Sequence, residues 1–155
     1  MLAVLRPDDW NLPLFLHVLG AMTLVGSLAA VVTGLLVASA RDGAASIALT
    51  RFGFRTMLVF VLPSYVLMRI GAQWIWSKEY GDADQDPRWL ELGYLVADAG
   101  ALLLLIALIL AGIGLVRARR SGNTPRKLAR TVLVLAGVLL LAYVVAVWAM
   151  TAKPG

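Results

Sequence analysis

Apolar residues fall in four long runs, roughly 12–38, 52–76, 90–116 and 128–150. Each exceeds the ~20 residues that an α-helix needs to cross a hydrocarbon core of ~30 Å. The polar stretches between them are short, which leaves no room for a separate soluble catalytic domain. The pattern predicts one domain over 1–155: an all-α membrane protein built as a four-helix transmembrane bundle with up-down topology.

Two interruptions refine this outline. Gly122-Asn123-Thr124-Pro125 is a turn signal that separates the third and fourth runs. Pro63 lies inside the second run, where the loss of a backbone donor predicts a kink. There is no internal repeat and no low-complexity segment.

The charges orient the chain. Arg41, Arg51 and Arg55 lie between runs one and two, and Arg117, Arg119, Arg120, Arg126, Lys127 and Arg130 between runs three and four. Between runs two and three the balance reverses, with Glu79, Asp82, Asp84, Asp86 and Glu91 against Lys78 and Arg88. Short loops rich in Lys and Arg stay on the cytoplasmic side. Both basic loops are therefore expected inside, with the acidic loop 77–91 and both termini outside. Trp10, Trp74, Trp76, Trp89 and Trp148 all fall near the outer ends of their runs, at the headgroup level that such rings prefer. Ala38-Ser39-Ala40 has the small-x-small form of a signal-peptidase site. The apolar run before it is about twice a usual h-region, so it reads as a span rather than a cleaved leader.

Composition narrows the chemistry. The chain is 61% hydrophobic and 15% charged, with a formal charge of +5 and no cysteine. Thiolate chemistry, Fe–S clusters and cysteine-bound zinc are excluded. The basic residues flank spans, so the positive charge is a topology signal and not a nucleic-acid footprint. G-x-S-x-G, H-E-x-x-H and Walker patterns are absent. Asp82-x-Asp84-x-Asp86 fails the EF-hand template, because Pro87 and Gly93 stand where glycine and glutamate belong. The expectation is a protein without enzymatic activity, cofactor or metal.

One polar layer remains. Arg69 lies seven residues before Trp76 and Asp98 nine residues after Trp89, depths of ~10 Å and ~13 Å at 1.5 Å per residue. These spans are consecutive, so the two opposite charges are expected to pair, facing the bundle interior. An isolated charge at that depth costs at least ~2.5 kcal/mol. Tyr65, Arg69 and Gln73 share one helix face, as do Glu91, Tyr94 and Asp98. His17 is seven residues after Trp10, and Tyr143 five before Trp148, so all four spans bring a polar group to the outer half. His17, Tyr65, Arg69, Gln73, Tyr94, Asp98 and Tyr143 form the candidate cluster, either a structural network or a ligand-binding pocket. The inner half is apolar apart from Thr56 and the hydroxyls Thr23, Ser27 and Thr33. With Gly26-x-x-x-Ala30-x-x-x-Gly34, these read as helix packing. A channel needs polar groups along the whole crossing, so the cluster is a blind pocket or a knot.

His17 is the only histidine. It is either satisfied by a tyrosine or a carbonyl, or it is a proton-responsive group or a metal or haem ligand, the last with Met22, Met68 or Met150 or across a dimer.

Leu16-His17-Val18-Leu19-Gly20 with Gly26-Ser27, then Leu67-Met68-Arg69 through Trp74, Ser77-Lys78-Glu79, Trp89 and Tyr94 through Asp98, resemble an uncharacterised family of bacterial four-span integral membrane proteins, grouped as a domain of unknown function. The resemblance implies a small inner-membrane protein without established chemistry. The His-x-x-Gly opening is also similar to copper-resistance membrane proteins of the D type. This chain has no further histidine, so only His17 and the methionines carry over as ligands.

The expected function is a non-enzymatic accessory or assembly subunit of the bacterial inner membrane, in contact with lipid and with a membrane-protein partner or a second copy. The alternatives are a small-molecule or ion transporter or receptor with an outward-facing pocket, and a haem-binding redox protein.

Overall fold

The computed structural model describes residues 11–79, 88–123 and 125–152, with backbone alone over 79 and 88–94. Helix α1 spans Asn11–Ser39 and α2 spans Gly43–Thr56. A π-helical turn over Met57–Val61 joins α2 to α3, Leu62–Glu79. Helix α4 spans Arg88–Ser121 and α5 spans Arg126–Ala152. The described residues are almost entirely helical. Four of the helices, counting Gly43–Lys78 as one, are long and apolar enough to cross a membrane.

The second long helix starts earlier than its apolar run. Gly43, with φ of +63°, starts it, and Ala44, Ala45 and Ala48 are strong helix formers that carry it to the hydrophobic stretch. Pro63 leaves its mark one turn upstream. The Leu62 N–H reaches back five residues to the Met57 carbonyl. Widening the turn rearranges the hydrogen-bond ladder where proline supplies no donor. Backbone groups at membrane depth are thereby kept paired.

Helix α1 packs against α2, α3 and α5; α4 packs against α5 and, at one end, α2. Leu24, Leu28, Val31, Phe54, Met57 and Leu139 are fully buried at the centre. Large apolar side chains also cover the outside, among them Phe60, Leu105, Ile109 and Leu141. Such a surface suits lipid rather than water. Because lipid is as apolar as leucine, helix association there depends on close packing.

Helices α1 and α3 approach each other closely. A Cβ on Gly20 would stand 2.5 Å from the Met68 backbone nitrogen, and one on Gly71 2.5 Å from the His17 backbone nitrogen. Two helices thus touch backbone to backbone through reciprocal glycines. The seam expected at Gly26, Ala30 and Gly34 is corrected here: nothing lies within 4 Å of a Cβ on Gly26, and Gly34 meets only the Phe52 ring. Small-residue spacing alone does not say which face the neighbour takes.

At the basic end α2 ties its neighbours together. The last carbonyls of a helix lack intrahelical partners. Ser46 Oγ donates to the Ala38 carbonyl of α1 at 3.0 Å, and Arg51 Nη2 to the Ala118 carbonyl of α4 at 2.6 Å. Arg126 and Asp42 form an exposed ion pair at 2.7 Å.

Candidate functional site

Helices α3 and α4 bring the two candidate charges together. Arg69 Nη2 lies 3.0 Å from Asp98 Oδ1. The pair is not enclosed as the sequence led us to expect: the Asp98 side chain is 66% exposed and that of Arg69 32%. Asp98 shares its stripe of α4 with Leu95 and Leu102, three residues before and four after, which are 68% and 61% exposed. Half-turn rotation of α4 is excluded by the opposite stripe, where Ala97, Leu104, Ala107 and Ala111 form the core contact. With those residues inward, Asp98 must stand at the bundle's rim.

Tyr65 is the link between the pair and the interior. It lies one turn before Arg69 on α3, and its hydroxyl donates to the Ala97 carbonyl at 3.2 Å. That bond fixes α3 against α4 beside the ion pair. Tyr143 on α5 is buried, and its hydroxyl has no hydrogen-bond partner among the described residues. A Cβ on Gly100 would stand 3.0 Å from that hydroxyl, so Tyr143 reaches α4 where the helix offers no side chain.

His17 is held separately. Its Nδ1 lies 3.0 Å from the Met68 carbonyl, at the close crossing of α1 and α3. A backbone carbonyl thus satisfies the ring. The sulfur of Met68 plays no part in that bond. Gln73 is on the exposed side of α3. The side chains of Glu91 and Tyr94, and the whole of Trp10 and Asp82 to Asp86, lie outside the described residues.

The structure therefore brings together Tyr65, Arg69 and Asp98, sets Tyr143 nearby against α4, and assigns His17 to the α1–α3 contact. Two of the hydroxyls of α1 are turned back on their own helix: Thr23 donates to the Leu19 carbonyl at 2.7 Å and Ser27 to that of Leu24 at 3.0 Å. Among the described residues no three of His, Asp and Glu gather in a group able to hold a metal.

Sequence reasoning missed the polar contacts at the basic end. In the sequence Arg51 is a topology signal alone, yet it reaches the end of α4. Thr50, one residue earlier, is buried with a hydroxyl that has no partner among the described residues. The available signal was Ser46 and Thr50 four residues apart, one helix face in a segment that precedes the apolar run.

What the cluster can do chemically follows from its parts. It holds no nucleophile beside a base. It offers one fixed cation, one carboxylate with spare acceptor capacity, and one tyrosine hydroxyl without a partner. Comparison with family models, with curated proteins and with solved structures finds no match for this chain.

Proposed function

We propose that the chain is a non-enzymatic accessory or assembly subunit of the bacterial inner membrane, and that the Asp98 rim of α4 is where it engages a transmembrane helix of a partner protein. The observation that carries this is the 66% exposure of the Asp98 side chain on a stripe whose neighbours are Leu95 and Leu102. A carboxylate within a span is costly against lipid. Arg69 occupies one of its oxygens, and the remaining lone pairs favour a hydrogen-bonding or basic residue from another helix. The reading accords with the resemblance to uncharacterised four-span proteins of the bacterial inner membrane.

The bundle is read as up-down, with both termini and the acidic loop 77–91 outside. Proximity of the two arginine-rich connections supports it, through the Arg126–Asp42 pair at 2.7 Å. Labelling single introduced cysteines with an impermeant maleimide tests the orientation: Asp84→Cys should react in intact cells, and Asn123→Cys only after permeabilisation.

The partner reading is tested by replacing Leu102 with a photo-crosslinking residue in native membranes, with Leu141 on α5 as the control position. A discrete adduct from position 102, absent from 141 and lost on Asp98→Asn in a folded protein, is the expected result. An adduct with a second copy of the chain would replace the partner by a homodimer. Absence of any discrete adduct would remove the subunit reading.

A second reading rests on Tyr143, whose buried hydroxyl has no partner among the described residues. Buried polar groups are nearly always paired. A small molecule or ion entering from the outer side, past Arg69, would supply one, as in a transporter or receptor with an outward-facing pocket.

A further inference from the structure

Where α1 ends and α2 and α5 begin, a recess of about 390 Å³ opens at the basic end of the bundle. Its deeper wall is apolar, with Leu35 and Leu133; its polar wall carries Ser46, Thr50, Arg126 and Arg130. Each helix contributes by its own spacing. Ser46 and Thr50 are one turn apart on α2, and Arg126, Arg130 and Leu133 follow at i, i+4 and i+7 on α5. Among the described residues no acidic one lines the recess.

Three features converge on an anion. Arg126 and Arg130 stand in the first two turns of the 27-residue α5, the end of a helix where free N–H groups favour negative charge. Among the described residues Arg126 is engaged only by Asp42, in a pair whose side chains are 77% and 91% exposed, a contact of the weakly held kind. Independently of both, Thr50 is 1% exposed and its Oγ1 has no hydrogen-bond partner among the described residues. A threonine inside a helix ordinarily returns its hydroxyl to a carbonyl one turn back. This one does not, and it lines the same recess as the arginines.

We propose that the recess binds the phosphate of an anionic phospholipid. The guanidinium groups of Arg126 and Arg130 meet the phosphate oxygens, which guanidinium geometry matches, and the Thr50 hydroxyl donates to the buried side of the headgroup. Leu35 and Leu133 take the glycerol and the start of an acyl chain. That apolar wall favours a lipid over free phosphate, which has nothing to bury there. The site is remote from the Asp98 rim and stands whether or not a partner helix binds there.

The test uses the full chain purified in a zwitterionic detergent, with native mass spectrometry and thermal unfolding. Wild type should retain phosphatidylglycerol at least about tenfold better than phosphatidylcholine. Arg130→Gln and Thr50→Val should each remove most of that preference, while Arg117→Gln, on an exposed residue outside the recess, should keep it. Thr50→Val preserves shape, so it should fold whatever it binds; its unfolding temperature without lipid checks this. Equal retention by all variants would reduce the effect to general surface charge and overturn the site. Stabilisation by inorganic phosphate as large as that by phosphatidylglycerol would overturn the lipid source.

Discussion

Gly71 of α3 lies so close to α1 that a Cβ there would meet the backbone nitrogen of His17 at 2.5 Å. Gly20 repeats the relation against Met68, and the His17 ring spans the same gap to the Met68 carbonyl at 3.0 Å. The two glycines make the crossing possible, and the histidine then adds a hydrogen bond across it.

This arrangement inverts the usual expectation for glycine. Inside a helix, glycine to alanine ordinarily stabilises by about 1 kcal/mol. Gly71→Ala and Gly20→Ala should instead destabilise, by about 1–3 kcal/mol or more, because backbone cannot move aside as a side chain can. Gly26→Ala, with open space around it, should be neutral or stabilising. Reversible unfolding in mixed micelles measures all three; a stabilised Gly71→Ala would contradict the close crossing.

Arg51 should matter more than its exposed neighbours. Its Nη2 donates to the Ala118 carbonyl at 2.6 Å, and an unpaired carbonyl in that half-buried place costs about 1–3 kcal/mol. Arg51→Met, which keeps an unbranched apolar stem but no donor, should lower stability by that amount. Arg119→Met and Arg120→Met, at exposed positions, should stay within about 0.5 kcal/mol of wild type.

Tyr143→Phe separates the two functional readings. If its hydroxyl has no ligand, removing a buried unpaired group should leave stability unchanged or raise it by about 1 kcal/mol, with no change in cellular phenotype. Loss of function in a Tyr143→Phe protein of wild-type stability would favour the pocket over the subunit.

Much of this was legible before any coordinates. Four apolar runs of more than 20 residues have one good solution in a bilayer, and the depth of Arg69 and Asp98 on successive spans brought them within reach of each other. Rotation of the helices about their axes was not legible. Spans apolar on every side carry little periodicity to choose a face, so the Asp98 rim, the Gly20–Gly71 crossing and the idle face of Gly26 emerged only from packing. The same is true of the start of α2: alanine-rich sequence before an apolar run marks neither loop nor helix by hydropathy. Pro63 announced a disturbance, but whether proline yields a bend or a wider turn depends on the neighbours available to the freed carbonyls.

The central claim is that Arg69 and Asp98 attract one another within the membrane, across α3 and α4. A double-mutant cycle of Arg69→Gln and Asp98→Asn, read as unfolding free energy in lipid bicelles, tests it most directly. Pairs exposed to water couple by about 1 kcal/mol or less. A pair flanked by lipid should exceed that, with the double variant more stable than the sum of the two single losses implies. Additive losses, with no coupling between the two sites, would contradict the account.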